Sequence, residues 1–322
     1  FWLINMVIIY RGIESIRFLE RLGAPFLLVI GVGLLVWAYL RAGGLGPMLS
    51  KPDRFDDLAG LLSFFFPALT GMVGFWATLS LNIPDFTRYA RSQRDQILGQ
   101  ALGLNTTMPL FAFIGVAVTS ATVVIYGEAI WDPVQLLGRM GGSAVIVALF
   151  VLAVATLTTN LAANVVAPAN GFSNVSPRRI SFKLGGYITA GLGIAMFPWK
   201  LLESAGAYIF TWLIGYSALL GPIAGILVVD YYLIRRTEID VEELFRQDGR
   251  YAYRSGWNPA AVVALAAGVL PNVPGFLAAA GAVPSVPAFF ERVYTYAWFV
   301  GFGLSGLIYF LWMRGRSGRD GD

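Results

Sequence analysis

The chain has 322 residues, 57% of them hydrophobic and only 13% charged, and its mean hydropathy is +0.67. This composition lies well outside the range of soluble domains and indicates an integral membrane protein. The net charge of +4 is spread over loops rather than gathered in blocks, which argues against nucleic acid as a partner. Cysteine and histidine are absent, so disulfides, thiolate metal sites and histidine acid–base chemistry are excluded within these residues.

Apolar stretches that cross about 30 Å of hydrocarbon need about 20 helical residues. Eight qualify, and in chain order they cover residues 23–41, 59–82, 97–126, 143–168, 180–198, 205–234, 258–282 and 291–313. A ninth, residues 1–10, reads as the cut end of another helix, because the chain begins inside an apolar run and without Met. We therefore expect an all-α membrane protein of about nine spans, truncated at its N-terminus.

The distribution of Lys and Arg predicts the topology. Alternate loops hold 17 of the 23 basic residues, and the remaining loops hold six. Because cytoplasmic loops carry the excess of Lys and Arg, the richer set is predicted to face the cytoplasm. Nine spans fit this alternation and place the C-terminus in the cytoplasm, as in a multi-pass protein of the plasma or inner membrane.

The stretch 59–82 contains the first candidate site. Pro67, Gly71 and Gly74 fall inside an apolar run that also carries Trp76. Proline removes a backbone donor and glycine makes unwinding easier, so we predict a spanning helix interrupted near its middle. Such helices are typical of transporter binding sites. The alternative is an ordinary kinked helix whose Trp76 faces lipid or packs in the bundle.

Two charged residues, Asp85 and Arg88, follow this run. Their opposite charges make them a candidate gating pair. Charges three residues apart at a helix end, however, more often form a solvated local bridge. Both interpretations stay open at the level of the sequence.

Threonine and asparagine are concentrated in the stretch 143–168, where unpartnered polar groups are costly. Ala155, Thr158 and Thr159 stand at positions i, i+3 and i+4, so one helix face offers two hydroxyl oxygens near a backbone carbonyl. Na⁺ binds oxygen ligands of this kind and needs no carboxylate. The alternative is that each threonine bonds to its own helix and that small residues merely allow close packing.

Two amides follow the threonines. Asn164 offers both a donor and an acceptor, which suits a heterocyclic amide, and Asn160 is the rival for that role. A straight helix rotates Asn164 by about 140° from Thr159, counting about 3.6 residues per turn. The helix therefore either lies between an ion and a substrate or unwinds locally.

Four stretches resemble the nucleobase:cation symporter-1 family, the permeases of hydantoin, allantoin, cytosine and uracil. They are the segments Tyr10–Phe26, Trp76–Arg88, Gly221–Tyr232 and Gly249–Pro259. The resemblance implies a LeuT-type fold of twelve helices on two inverted five-helix repeats, of which this chain supplies helices four to twelve. Residues 1–58 are then the end of the first repeat, 59–236 the complete second repeat, 237–257 a cytoplasmic loop, and 258–322 two C-terminal helices and a tail.

The resemblance also implies roles for individual residues. Trp76 stacks on a planar substrate ring and Asn164 hydrogen-bonds it, so that the candidate substrate-binding residues are Gly74, Trp76, Asn160 and Asn164. The candidate sodium ligands are the Ala155 carbonyl, Thr158 and Thr159, and the candidate gating or structural residues are Pro67, Gly71, Asp85 and Arg88. The other half of each site belongs to helices one to three, which the chain lacks.

We therefore expect a secondary active transporter that couples uptake of a nucleobase or related planar heterocycle to Na⁺, with no other cofactor. The alternatives are an H⁺-coupled nucleobase permease and a same-fold symporter for an amino acid or amine. An enzyme is disfavoured because His and Cys are absent, and a channel because neither carboxylate rings nor a carbonyl-rich filter is visible. The expected partners are the lipid bilayer and the small substrate, and we expect a monomer.

Overall fold

The structure is a computed structural model that describes residues 2–50, 55–141, 144–201, 207–246, 248–254 and 256–317. Within these ranges the fold is helical, and the β-type pairing is confined to an isolated bridge between Arg254 and Trp257.

The α-helices are, in chain order, α1 (Trp2–Arg11), α2 (Ile13–Ala42), α3 (Leu45–Leu49), α4 (Leu58–Asn82), α5 (Pro84–Thr87), α6 (Gln93–Tyr126), α7 (Pro133–Met140), α8 (Ala144–Asn160), α9 (Ala167–Val175), α10 (Phe182–Ala195), α11 (Pro198–Leu201), α12 (Ile214–Val229), α13 (Pro259–Val269), α14 (Val273–Ala279), α15 (Ala288–Thr295) and α16 (Ala297–Ser317). Three π-helical segments adjoin them, at Leu161–Val166, Ala207–Leu213 and Asp230–Ile234, and 3₁₀ turns lie at Glu243–Phe245 and Leu270–Asn272.

Polar caps and a left-handed glycine define several helix ends. The Ser92 hydroxyl accepts a hydrogen bond from the backbone N–H of Asp95 at the start of α6, and the side-chain oxygen of Asn258 accepts one from Ala260 at the start of α13. These side chains satisfy donors that the first helical turn leaves free. Gly127, with a φ of 81°, ends α6, because glycine adopts this left-handed conformation without strain.

Seven helical segments of the described chain are long and apolar enough to cross a membrane: Arg21–Ala42, Leu58–Thr87, Gln93–Tyr126, Ala148–Val175, Ile209–Ile234, Pro259–Ala279 and Ala297–Gly315. They coincide with seven of the eight long apolar stretches. The stretch 180–198 contains α10, whose 14 residues extend for about 21 Å at about 1.5 Å per residue, and α1 has 10 residues. The prediction of an all-α membrane protein with several spans is confirmed.

The chain forms two compact units. The first combines α1–α3 with residues Asn82–Met196, and the second combines Phe55–Leu81 with the chain from Phe197 onwards. These units group helices by their packing, whereas the predicted repeat boundaries follow the order of the chain. The repeat boundaries therefore stay predictions.

The first unit has two apolar cores. One joins α2 and α3 to α6 and the segment that follows it, around Ala38, Met48, Ile114, Ala117 and Ile130. The other, which we call the α1–α8 cluster, joins the first two helices to α8 and its π-turn and consists of Ile8, Ile9, Ile16, Leu157, Leu161, Val165 and Val166. Asn160 and Asn164 therefore lie next to side chains that are anchored in an apolar core.

In the second unit, small residues let α12, α13 and α16 approach one another. A Cβ placed on Gly225 would lie 2.3 Å from the carbonyl oxygen of Phe302, and one placed on Gly301 would lie 2.7 Å from Cδ of Pro222. Such close contact between helix backbones is the main way in which membrane helices associate.

The predicted interruption of the 59–82 helix is wrong, because α4 is continuous through Pro67, Gly71 and Gly74. Its glycines serve helix packing instead. A Cβ on Gly71 would lie 3.2 Å from Cγ2 of Ile209, and one on Gly74 would lie 2.1 Å from Oγ of Ser217. The missing side chains therefore make room for the neighbouring helix rather than for an unwound backbone.

Candidate functional site

The predicted sodium ligands lie along α8. The Thr158 hydroxyl donates a hydrogen bond to the carbonyl oxygen of Ala155 at 2.9 Å, and Thr158 is only 4% exposed. A Cβ placed on Gly23 of α2 would lie 3.1 Å from Cγ2 of Thr158, so the two helices are close at this point. Thr159, in contrast, is exposed. Two of the three predicted ligands, Ala155 and Thr158, are thus hydrogen-bonded to each other. This is the bond from a threonine to its own helix that the alternative to a sodium site predicts.

Three amides form a chain that links α8 to α1. Nδ2 of Asn164 donates to Oδ1 of Asn160 at 3.0 Å, and Nδ2 of Asn160 donates to Oδ1 of Asn5 at 3.2 Å. Asn5 is buried, Asn160 is half-buried and Asn164 is exposed, so the chain leads from the interior of the unit outwards. The structure brings the two predicted amides together and adds Asn5, which the sequence analysis missed. A lone amide in the apolar stretch 1–10 was the available signal.

The winding of the helix changes between the predicted ion and substrate residues. α8 ends at Asn160, and the π-helical turn Leu161–Val166 carries Asn164 before α9 begins. Single π-helical turns are rare in proteins as a whole, and those that occur inside α-helices lie frequently at functional sites. The chain does not unwind at Asn164, as one of the two expected arrangements required, but stays helical with π instead of α winding. The other arrangement, a helix that lies between ion and substrate, stays a prediction.

Trp76 lines an apolar cavity of about 400 Å³ in the second unit, together with Met72, Val73, Ala77 and Trp298. Its half-buried indole meets the ring of Phe75 edge-on, with the ring centroids 5.4 Å apart. A cavity of this size accommodates a small molecule. Trp298, which α16 contributes, was not predicted. Gly74 is buried beside Ser217, and its contact with substrate stays a prediction.

Asp85 and Arg88 form a local salt bridge, which was one of the two interpretations of this pair beside a gate. Nη2 of Arg88 lies 2.9 Å from Oδ1 of Asp85, with 47% of the arginine side chain and 18% of the aspartate side chain exposed. Arg88 also lines a cavity of about 410 Å³ in the first unit, together with Gly12, Tyr89, Asn170, Ser181, Phe182 and Lys183. Their role as a gate stays a prediction.

A cluster of charged and aromatic side chains lies directly after α12, and it includes residues of the segments Gly221–Tyr232 and Gly249–Pro259. Nε of Arg235 donates to Oδ2 of Asp230 at 2.6 Å, and the Tyr309 hydroxyl donates to Oδ1 of the same carboxylate at 2.6 Å. Nη2 of Arg235 also donates to the Tyr253 hydroxyl at 2.7 Å. Burial lowers the pKa of Arg235, but the hydrogen bond and charge of Asp230 outweigh it and raise that pKa overall.

The described helices, which carry hydroxyl and amide groups inside apolar spans, define a multi-pass membrane protein. The chain belongs to the family of permeases for cytosine and purines, uracil, thiamine and allantoin, whose family profile matches residues 1–301. This is a family of permeases and not of enzymes.

Named relatives agree with this assignment. The chain is 49% identical over 322 residues to a purine-uracil permease of Arabidopsis thaliana, a match that covers 99% of the chain and 53% of that protein. It is 42% identical over 316 residues to an allantoin permease of Bacillus subtilis, covering 98% of the chain and 62% of that protein. The chain therefore spans somewhat more than half the length of these two relatives.

Solved structures agree with the fold. Mhp1, a nucleobase-cation-symport-1 family transporter in a closed conformation with bromovinylhydantoin bound, matches with a TM-score of 0.70 and 28% identity, covering 99% of this chain and 66% of that one. An inward-facing conformation of Mhp1 matches with a TM-score of 0.63 and 25% identity. The predicted nucleobase:cation symporter-1 family and its LeuT-type fold are confirmed.

Proposed function

We propose that this chain is the larger part of a secondary active transporter that takes up a nucleobase or related planar heterocycle together with Na⁺. The observation that carries the proposal is the sequence of polar groups along α8 and its π-turn. A backbone carbonyl and a buried hydroxyl, Ala155 and Thr158, come first, and the joined amides of Asn160 and Asn164 follow one to two turns later. One helix thus offers oxygen ligands for a cation and an amide edge for a ring.

The substrate class follows from the chemistry of the amide. The exposed Asn164 side chain offers a carbonyl oxygen and N–H groups, which complement the alternating N–H and C=O groups on the edge of a nucleobase or a hydantoin. An aromatic side chain, Trp76, supplies a flat apolar surface of the kind on which such rings stack. The relatives are named for purine, uracil and allantoin, and the ligand in the Mhp1 structure is a hydantoin.

The coupling ion follows from the ligands. Ala155 and Thr158 offer neutral oxygens, with Thr159 beside them, and neutral oxygens suit Na⁺. A coupled proton would need a titratable group, and these three residues supply none. The excess of basic residues in alternate loops supports a cytoplasmic C-terminus.

The test is radioligand binding to a full-length protein that carries this sequence, with a panel of uracil, cytosine, a purine, allantoin, hydantoin, an amino acid and a quaternary amine. We expect at least one ring to bind. Trp76→Ala should weaken that binding by about 5- to 150-fold, since stacking of a base on an aromatic ring contributes about 1–3 kcal/mol. Trp76→Phe should recover part of the loss.

The matched control is Phe65→Leu, which alters an exposed aromatic residue of α4 about three turns before Trp76 and should leave affinity close to that of the original protein. Binding of the amino acid or the amine, and of none of the rings, would refute the proposed substrate class. Ring binding that is unaffected by Trp76→Ala would retain the class and reject Trp76 as the stacking residue.

A further inference from the structure

The chain of three amides has a direction, and Asn5 lies at its buried end. Each link has the Nδ2 group of one asparagine as donor and the Oδ1 atom of the next as acceptor, from Asn164 to Asn160 and from Asn160 to Asn5. An amide that donates through its nitrogen at one link and accepts through its oxygen at the next cannot turn over without breaking both bonds.

Buried apolar residues follow Asn5 on α1. Ile8 and Ile9 lie one turn further along α1, are buried, and belong to the α1–α8 cluster together with Leu157 and Leu161, which flank Asn160. Asn5 itself is 4% exposed. Because a buried amide oxygen without a partner is unfavourable, burial favours the bond that Oδ1 of Asn5 accepts from Nδ2 of Asn160.

We propose that Asn5 acts as a positioning residue that determines which way the Asn164 amide faces, and thereby which pattern of donors and acceptors the transporter reads on its substrate. Asn5 accepts from Asn160, which turns the Asn160 oxygen toward Asn164. Asn164 then donates one N–H to the Asn160 oxygen, and its own carbonyl oxygen and second N–H are left for a ligand. The proposal rests on the proposed function, since it takes Asn164 as the amide that contacts the ring.

The consequence is a bias between rings with opposite edges. Uracil has an N–H at ring position 3 between two carbonyl groups, whereas cytosine has an unprotonated nitrogen there beside an amino group. An outward carbonyl on Asn164 favours a donor at the matching point of the ring, and a reversed amide favours an acceptor. The ratio of affinities for uracil and cytosine therefore reports the orientation of the amide, which overall packing does not.

The experiment compares three variants in the full-length protein. Asn5→Leu keeps the size of the side chain but removes the acceptor, so Asn160 is free to turn, and the uracil-to-cytosine ratio should move toward one by about three- to tenfold. Asn5→Asp keeps an oxygen that accepts from Asn160, and the ratio should stay within about twofold of the original. Asn105→Leu, which removes an exposed amide that bonds to the α6 carbonyl of Ala101 at 2.9 Å, is the matched control and should leave the ratio unchanged.

The outcomes separate this inference from the proposed function. If the original protein binds neither ring nor any other heterocycle, the proposed function fails and the inference fails with it. If the rings bind and Asn5→Leu leaves the ratio unchanged, Asn5 is only a packing residue and the proposed function stands. If Asn5→Leu does not fold, Asn5→Ala, which also removes the acceptor, takes its place: a ratio that moves toward one supports the positioning role, and an unchanged ratio overturns it.

Discussion

The hydroxyl of Thr158 donates to the carbonyl oxygen of Ala155, three residues earlier in α8, at 2.9 Å. Thr158 is buried where α8 and α2 approach at Gly23, so its rotamer is restricted by packing as well as by this bond. A hydroxyl that donates its single proton keeps its lone pairs, and a carbonyl oxygen has two. The bond therefore holds two oxygen atoms about one hydrogen-bond length apart. The hydroxyl oxygen keeps its lone pairs for a cation, and the Ala155 carbonyl regains a free lone pair when the hydroxyl proton turns away from it.

This pairing predicts how substitutions affect coupling. Thr158→Ala removes one of the two oxygens, and Thr159→Ala removes the neighbouring hydroxyl. We expect Na⁺ to increase the affinity for the ring several-fold in the original protein and to have no effect in either variant, because ion and substrate stabilise one another reciprocally. The measurement is ring affinity with and without Na⁺ at constant ionic strength in the full-length protein.

Two controls accompany this prediction. Thr158→Ser keeps the oxygen and should keep the Na⁺ effect. Thr156→Ala removes an exposed hydroxyl of α8 that bonds to the Leu152 carbonyl at 2.8 Å, and should leave the effect unchanged. If ring binding is independent of Na⁺ and strengthens as the pH falls, the coupling ion is H⁺ and the threonines only stabilise the bundle.

A second prediction concerns Gly74. A Cβ at this position would lie 2.1 Å from Oγ of Ser217 and 2.4 Å from the carbonyl oxygen of Leu213. Because a backbone carbonyl cannot move aside as a flexible side chain can, Gly74→Ala should destabilise the protein by about 1–3 kcal/mol. The apparent melting temperature of the purified full-length protein in detergent measures the effect.

A second glycine serves as the control for the loss of stability expected of Gly74→Ala. Gly103→Ala, in α6 with no atom within 4 Å of the added methyl group, should be neutral or slightly stabilising, since alanine is the better helix former. Adding Ser217→Ala to Gly74→Ala should not restore stability, because the Leu213 carbonyl remains in the way. Full recovery in the double variant would show that the hydroxyl alone makes the contact tight.

Gly71 and Gly74 also show where inference from the sequence stops. A glycine without a side chain permits either an unwound backbone or a close neighbouring helix, and the sequence of α4 is the same in both cases. The partner residues, Ile209 and Ser217, lie far away in the chain and decide the matter in favour of packing. Local spacing, in contrast, was sufficient to predict that Thr158 lies beside Ala155, because that contact depends only on helix geometry.

The amide chain combines both situations. The contact between Asn160 and Asn164 is a neighbour pair on one helix and follows from spacing. The contact between Asn160 and Asn5 joins residues 155 positions apart, so spacing gives no access to it. The general rule that polar groups in a span need partners could have identified Asn5 as a residue to place, but not its partner.

The cluster at the end of α12 gives a third prediction. Tyr309→Phe removes the 2.6 Å hydrogen bond to Oδ1 of Asp230, and should destabilise the protein by about 1.5–3 kcal/mol because the acceptor is charged. Arg235→Lys should also destabilise it, since lysine cannot bond Asp230 and Tyr253 while stacking on the Tyr251 ring, 4.4 Å from the arginine.

Both effects should be visible as lower apparent melting temperatures. Arg246→Lys, which changes a more exposed arginine bound to Glu243 at 2.8 Å, is the matched control and should have little effect. Because Asp230 raises the pKa of Arg235, the arginine stays charged, and the destabilisation should not depend on pH between about 6 and 9. Variants as stable as the original would mean that the cluster adds nothing to the stability of the fold.

The final prediction concerns topology and follows from the unequal distribution of basic residues. The chain has no cysteine in its 322 residues, so single cysteines report their own positions once any others in the full-length protein are removed. Ala90 and Glu238 lie in loops of the basic set, whereas Ser50 and Ser285 lie in the other set, and all four are exposed. Ala90 is preferable to the nearby Ser92, because the Ser92 hydroxyl caps α6 and its replacement would destabilise the helix by about 1 kcal/mol.

In intact cells, a membrane-impermeant maleimide should label Ser50→Cys and Ser285→Cys, and it should label Ala90→Cys and Glu238→Cys only after the membrane is opened. Labelling of Ala90→Cys in intact cells, with Ser50→Cys protected, would reverse the predicted orientation of every span and place the C-terminus outside.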